Sequence, residues 1–349
     1  MKKRLFNLCL SGLLLAGLIG CGTAQNSSGG TAQGTGSEAA STESSTSNAP
    51  VAIRYGGGFS TEENLWLMQI DPSLTPNQGK TYTLEMTQFR ANADRLNAYQ
   101  AGQIDAGSIG QGAAILSASQ GVPIKVVAGI AKETPGKGFN AQFLALKDSG
   151  ISSAADLKGK TIGIPDFKSP TDMWARAAVR SVGLNPDADV KYAIIPIPSM
   201  LEAVKSKKID VGMFPSEYAV KAEQSGEFTQ VFTSKTGVNV DEDFYVMFMN
   251  PEFMEKNQQA VKDFLADYVA ATKYYLENEK EVRQKLIDAG KVKSEPEFYL
   301  NVKDFNRSET ASLNQEGWKK IQDILIEEKW IDKAVDLEQL LDTSLLPNP

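Results

Sequence analysis

The sequence predicts an α/β protein of two similar lobes, each a mostly parallel sheet with flanking helices, with a cleft between them. Three observations predict it. Residues 95–107 and 200–212 echo each other: Leu96, Ala98, Ile104, Asp105 and Gly107 recur as Leu201, Ala203, Ile209, Asp210 and Gly212. The segments around both copies read in the order β-α-β-α-β. The roughly 300 residues that follow position 50 suit two lobes of ordinary size.

Each copy of the echo reads as a helix with one apolar face, a tight turn, and a short strand opening at the Ile. Ahead of the first copy, residues 52–56 read as a strand, 60–70 as a helix capped at Ser60 with Glu63 three positions on, and 82–89 as an alternating strand. Ahead of the second, residues 161–165 read as a strand, 169–182 as a helix capped at Ser169 with Pro170 at its first position, and 190–197 as a strand. Strands alternating with helices imply parallel sheets, whose ligands sit beyond the carboxyl ends of the strands. Two short apolar runs, 141–146 and 245–249, suit strands crossing between the lobes at a hinge. Beyond 251, apolar residues at three- and four-residue intervals predict helices over 258–279, 280–289 and 316–329, with Trp318 and Trp330 as core anchors. The expected division is 51–140 with 246–349 for the first lobe, including the C-terminal helices, and 141–245 for the second.

The first 50 residues read differently. Lys2, Lys3 and Arg4 precede an apolar stretch over 5–19, shorter than the roughly 20 residues a spanning helix needs. Residues 1–20 therefore read as a signal peptide. The stretch ends in Leu18-Ile19-Gly20-Cys21, which resembles the lipobox of bacterial lipoproteins, and that resemblance implies lipidation of Cys21. An ordinary signal peptide with an incidental cysteine is the other reading. Residues 22–50 carry only Glu38 and Glu43 as charges and no large apolar side chain, so they cannot offset the entropy of ordering. As a coil they reach roughly 30 Å, which makes 21–50 a flexible, lipid-anchored tether. The expected location is extracytoplasmic, held to the cell membrane through the lipid only.

Composition narrows the chemistry. Loss of Lys2, Lys3 and Arg4 moves the formal net charge from −7 to −10, the wrong sign for a general nucleic-acid binder. The chain has no histidine, which excludes Ser-His-Asp and Cys-His catalysis and imidazole metal ligands. Cys9 leaves with the signal and Cys21 carries the lipid, so no thiolate site or disulfide is expected in the folded part. Carboxylate pairs or a Ser-Lys dyad remain chemically open, and no spacing points to either. Neither a catalytic residue, nor a metal, nor a cofactor is expected.

Ala101-Gly102-Gln103-Ile104-Asp105-Ala106-Gly107, Gly121-Val122-Pro123-Ile124-Lys125-Val126-Val127-Ala128 and Asp156-Leu157-Lys158-Gly159-Lys160-Thr161-Ile162-Gly163 occur in a telling order and spacing. In these motifs the chain from Val51 onward resembles periplasmic binding proteins of the nitrate, sulfonate and taurine group, which also includes binders of thiamine-pyrimidine precursors. The resemblance implies the type II periplasmic binding protein fold. It also implies a monomeric substrate-binding subunit that delivers a small-molecule solute to the permease and ATPase of an ABC importer. Lys207-Lys208 departs from the family, which often has Gly before the second Ile-Asp, and reads as a surface change. Enzymes of pyrimidine and menaquinone metabolism resemble this family too, and the missing histidine and the lipid anchor argue against that reading. A solute sensor without transport is a third reading.

If both lobes are parallel α/β units, loops at the strand ends supply the ligand contacts. In the first lobe the candidates are Phe59, Ser60, Gln88, Arg90, Ser108 and Gln111; in the second they are Phe167, Ser169, Thr171, Phe214 and Glu217. Ser60 and Ser169 stand at helix starts, where free N–H groups and the dipole favour an anionic group, or they act as caps alone. The run from Ser108 to Gly112 follows a strand and offers small residues, a hydroxyl and an amide. Phe59, Phe167 and Phe214 either clamp a flat or apolar moiety or close the lobes' own cores. Arg90 and Lys168 suit a sulfonate or carboxylate, whereas Glu217 suits an amine or ring N–H and would repel a buried oxyanion. The expected solute is therefore sulfonate- or taurine-like, or a nitrogen heterocycle such as a thiamine pyrimidine precursor.

Overall fold

The computed structural model describes residues 49–58, 61–89, 92–292 and 295–347, without the side chain of Glu217. The signal peptide, the lipidation of Cys21 and all but the last two residues of the tether lie outside the described residues. Strands and helices alternate through β1 (Val51–Gly57), α1 (Glu63–Ile70), β2 (Tyr82–Gln88), α2 (Asn92–Gln100), β3 (Ala106–Gly110), α3 (Gln111–Ser119) and β4 (Lys125–Glu133). A second run follows as β5 (Gln142–Leu146), β6 (Thr161–Ile164), α4 (Pro170–Ser181), β7 (Lys191–Ile194), α5 (Ile197–Lys205), β8 (Val211–Phe214), α6 (Ser216–Ser225) and β9 (Phe228–Thr233). The chain then returns as β10 (Glu242–Met249) and continues through α7 (Pro251–Lys256), α8 (Gln258–Glu277), α9 (Glu279–Asp288), α10 (Pro296–Asn301), α11 (Gln315–Glu327) and α12 (Leu337–Leu340).

Two five-stranded sheets form, in the orders β2-β1-β3-β10-β4 and β7-β6-β8-β5-β9. The orders are the same once the second run is matched to the first. In each sheet the first three strands are parallel and the fourth position is taken by an antiparallel strand, β10 or β5. These are the two apolar runs expected to cross at a hinge. They are apolar for a different reason: each lies between two paired neighbours, and Val246, Met247, Phe248 and Met249 are all fully buried. The passes between the sheets are the segments 134–141 and 234–241, and the return strand starts at Glu242, ahead of the boundary at 246 read from the sequence.

The echo is a structural repeat. Asp105 accepts from Arg54 N–H at 3.1 Å through its carboxylate and donates its own N–H to Arg54 O at 2.8 Å. Asp210 repeats both bonds on Thr161, at 2.8 and 2.9 Å, so each Asp fastens the entry of the third strand to the first. Each Ile packs where the neighbouring strand has glycine. A Cβ on Gly56 would lie 2.6 Å from Ile104 Cδ1, and one on Gly163 would lie 2.4 Å from Ile209 Cδ1. The turns match as well: Gly102 has φ +69° and Lys207, its counterpart, has φ +58°. Lys207 is thus more than a surface change, since it holds a left-handed conformation that costs a side-chain-bearing residue on the order of 1 kcal/mol. Lys207→Gly is expected to raise the unfolding free energy by about 0.5–1 kcal/mol, measured as a higher urea midpoint with unchanged slope.

Local capping explains where the helices begin. Ser169 accepts from Asp172 N–H with Pro170 in the first turn, as the sequence predicts. The helix expected from Ser60 starts instead at Glu63, because neither glutamate is available to a capping box. Glu63 is drawn to the buried guanidinium of Arg307 at 2.8 Å, and Glu62 turns back toward Gly58. Arg307 also donates to Asp304 at 2.8 and 3.0 Å and to the carbonyls of Thr61 at 2.7 Å and Ile130 at 3.2 Å. It thereby ties the loop ahead of α1 to β4 and to the chain before α11. On the other side of the first sheet, Trp318 of α11 is fully buried and donates to Asp243 at 2.9 Å, fastening that helix to β10.

The two passes between the sheets are bonded to one another. Ser234 N–H donates to Ala141 O at 2.8 Å, the Ser234 hydroxyl donates to Glu133 at 2.9 Å, and Thr134 donates to Asp241. Glycine seats each pass: a Cβ on Gly138 would lie 2.6 Å from Asn306 N, and one on Gly237 would lie 2.2 Å from the Ala177 carbonyl of α4.

Candidate ligand site between the lobes

The carboxyl ends of the parallel strands of both sheets meet at one junction. A Cβ on Gly110, the last residue of β3, would lie 3.4 Å from Pro170 Cγ, the first residue of α4. The strand end of one lobe therefore abuts the helix start of the other. Trp174, one turn into α4, donates to Glu242 at the start of β10 at 3.0 Å, and its ring lies 5.4 Å from Phe244. Lys235 reaches the same Glu242 oxygen at 2.8 Å from the second pass, so the junction is held by a buried, charge-assisted cluster.

On the first-lobe side, the strand ends carry polar groups that no core requires. Arg95, on α2, is 2% exposed. Its Nη1 donates to Asn92 at 3.0 Å, to the Tyr245 hydroxyl at 2.7 Å and to the Ser108 carbonyl. Glu62 is fully buried; it accepts from the Ser108 hydroxyl on one oxygen and from Gly58 N–H on the other. Burial pushes its carboxyl up to about 7, against the downward pull of Arg95 and of the Gly58 N–H. Among the described residues, Tyr55 OH, Arg95 Nε and both side-chain atoms of Gln111 are buried without a hydrogen-bond partner. Buried orphans of this kind are rare in folded proteins, and four of them gather around the ends of β1 and β3.

The repeat shows that these polar groups are specific to one lobe. Arg95 and Met200 occupy the same place. A Cβ on Gly56 or Gly107 would meet the Arg95 stem at 3.0 or 3.1 Å, and one on Gly163 or Gly212 would meet the Met200 side chain at 2.8 Å in both cases. Ser108 has Met213 as its counterpart, and Tyr55 has Ile162. The second lobe fills these positions with apolar side chains, all buried. The first lobe spends desolvation energy to put a guanidinium, a hydroxyl and a phenol there.

The residues read from the sequence divide accordingly. Ser108 comes together with Arg95 and Glu62, and Gln111 follows directly on the end of β3. The Ser169 hydroxyl lies 2.7 Å from that of Thr171 at the start of α4, in the turn that Pro170 brings against Gly110. Gln88 ends the edge strand β2 and is exposed, and Phe167 is 51% exposed beyond β6. Phe214 is fully buried at the end of β8, and its ring packs 5.9 Å edge-on from Phe228 in the second lobe's core. Phe59, Ser60 and Arg90 lie outside the described residues, as does the side chain of Glu217. Sequence reasoning missed Glu62, Arg95, Tyr55 and Tyr245. A signal for one of them existed, since the echo aligns Arg95 with a methionine.

Known proteins share this fold. Residues 83–282 match the NMT1/THI5-like family. A protein of Brucella abortus (strain 2308) described as a binding protein is 28% identical over 229 residues, covering 64% of this chain and 67% of that one. The taurine-binding periplasmic protein of Escherichia coli (strain K12) is 27% identical over 210 residues, covering 60% of this chain and 62% of that one. The crystal structure of the periplasmic aliphatic sulphonate binding protein SsuA from Escherichia coli aligns with a TM-score of 0.67 at 19% identity, covering 86% of this chain and 93% of that one. The relatives are binding proteins, and the two-lobed α/β fold of periplasmic binding proteins is the fold of this chain. The family match runs from β2 into α9, through both sheets and past Arg95, Ser108 and Gln111, and by it the chain belongs to the NMT1/THI5-like family.

Proposed function

We propose that this protein is the solute-binding component of an ABC importer. It captures a small solute between its lobes and hands it to a membrane permease driven by an ATPase. The observation that carries this reading is Gln111: a fully buried amide, without a partner at either atom among the described residues, one residue past the Gly110–Pro170 contact between the lobes. An amide so placed is a donor and an acceptor held ready for a guest, at the strand ends where sheets of this kind bind ligands. The names of the relatives support a sulfonate or taurine-like solute, and the amide suits a nitrogen heterocycle equally well. The absence of histidine from the sequence supports binding over catalysis. The signal-like N-terminus and Cys21 support an extracytoplasmic chain on a lipid leash. The ligand-binding set we assign is Ser108, Gln111, Ser169 and Thr171, with Arg95 and Glu62 added from the structure.

A thermal-shift screen tests the reading. Taurine, alkanesulfonates, nitrate, bicarbonate, aromatic acids and aminopyrimidines are each added to the chain, and the correct class raises its melting temperature. No shift with any of them overturns these solute classes. Gln111→Leu provides the second arm. Removing an unpaired buried amide is expected to leave the empty protein equally stable or more stable by about 1–3 kcal/mol, while solute affinity falls about tenfold. A clear loss of stability would assign the amide a structural role and remove the support.

A further inference from the structure

Arg95 is the least expected residue of the site, because the repeat places Met200 in its position and a methionine there packs without cost. Its Nη1 is crowded with acceptors from Asn92, Tyr245 and Ser108. The opposite edge of the same guanidinium, Nε with Nη2, has no hydrogen-bond partner among the described residues. That edge is the one that grips an oxyanion with two parallel N–H bonds.

Glu62 stands across from it. The point where a Cβ on Gly58 would sit is 3.0 Å from Glu62 Oε2 and 3.2 Å from Arg95 Nη2. Acid and base thus converge on the space over Gly58, yet among the described residues no ion pair joins them within 4.0 Å. An oxyanion on the Arg95 edge would lie beside the carboxyl of Glu62, out of water, where two negative charges repel strongly. The other groups that face Glu62 are Tyr55 from β1, Ser108 from β3, Tyr245 from β10, Tyr268 from α8, and Glu63 and Arg307 beyond it. Burial holds all three tyrosines above their ordinary values, Arg307 stays charged, and Glu63 is engaged by Arg307 at 2.8 Å. Glu62 is the group left to change its charge.

We propose that the cleft floor captures an oxyanionic group on the Nε–Nη2 edge of Arg95 and takes up one proton on Glu62 as it does so. This rests on the cleft being a solute site. The proton comes from solvent or buffer, so the anion and its counter-proton enter together and the charge of the floor is conserved. The sign of the pH dependence follows. Burial already brings Glu62 to about 7 in the empty site, and the bound anion raises it further. Affinity is therefore constant below about pH 7, falls about tenfold per unit as pH rises between the empty-site and bound-site values, and levels off above the latter.

The probe is ethanesulfonate, which stays ionised across this range and carries no other titrating group. Calorimetric titration of the chain at pH 8 in triethanolamine and in Tris, two amine buffers whose ionisation heats differ, is expected to give buffer-dependent heats equivalent to uptake of close to one proton. Glu62→Gln is expected to abolish both the buffer dependence and the pH dependence. Arg95→Met, which copies the second lobe, is expected to fold at least as stably and to bind ethanesulfonate at least tenfold more weakly. Equal heats in both buffers with flat affinity between pH 6 and 9 would overturn the proton coupling, and the unmodified chain decides this even if Glu62→Gln does not fold. Unchanged affinity in Arg95→Met would overturn the anion contact. If ethanesulfonate fails to bind while another solute of the screen does, the oxyanion subsite is wrong and the solute-binding reading stands; if nothing in the screen binds, the oxyanion subsite and these solute classes fall together.

Discussion

Arg307→Met is expected to cost about 3–5 kcal/mol of folding stability, the loss typical of a buried ion pair broken from one side. The guanidinium is fully buried, and its bonds to Glu63, to both oxygens of Asp304 and to the carbonyls of Thr61 and Ile130 use its whole donor set. Its plane also lies 5.0 Å from the Tyr275 ring. Methionine replaces the stem and leaves two carboxylates and two carbonyls facing a thioether. The melting temperature should fall on the order of 10 °C, followed by circular dichroism. Adding Glu63→Gln removes one stranded charge, so the double variant should recover part of the loss. A fall below about 1 kcal/mol would mean that water reaches these carboxylates. The effect should spread to the cleft, because Glu63 is the residue after Glu62 and opens α1.

Gly237→Ala should cost about 3 kcal/mol, at the upper end of ordinary overpacking. The added methyl would stand 2.2 Å from both the carbonyl carbon and the oxygen of Ala177 and 2.6 Å from Ala178 N. These are helix backbone atoms, so no side chain can swing aside and the pass must lift from α4. A urea titration should show a lower midpoint with unchanged slope. Gly79→Ala is the control, since at φ +80° it suffers the same kind of substitution with nothing within 4 Å of the new carbon. It should cost only the conformational penalty of about 1 kcal/mol. Equal losses in both variants would mean that the contact with α4 is not what the methyl disturbs.

The repeat was legible because its two copies obey the same local rules. Asp105 and Asp210 fasten strand starts, Ile104 and Ile209 require glycine on the neighbouring strand, and the helices ahead of them keep one apolar face. The helix at Ser169 was legible from its cap and proline. What escaped was set by partners far along the chain. The antiparallel fourth strands look like any short apolar run, since nothing within Gln142–Leu146 or Glu242–Met249 says which sheet will receive it. Ser60 and Glu63 fit a capping box, but Arg307, 244 residues away, outbids that local bond. Phe214 ends β8, and nothing local says that its ring packs on Phe228, 14 residues on. Arg95 stands opposite Met200 in the echo, but only the fold shows that this position is buried against the strand ends.

The bonds between the two passes have a mechanical consequence. A pair of separate connecting segments would let the lobes twist, slide or spread, each segment yielding independently. Here Ser234, Ala141, Glu133, Thr134 and Asp241 lace the segments into one strip. One segment is seated on the chain next to Asn306 and the other on α4. Neither segment can shift lengthwise without dragging the other and lifting a glycine from its seat. Such a strip resists sliding and torsion and yields to bending across its width, as a leaf spring does, so the jaws above it are guided along a single path.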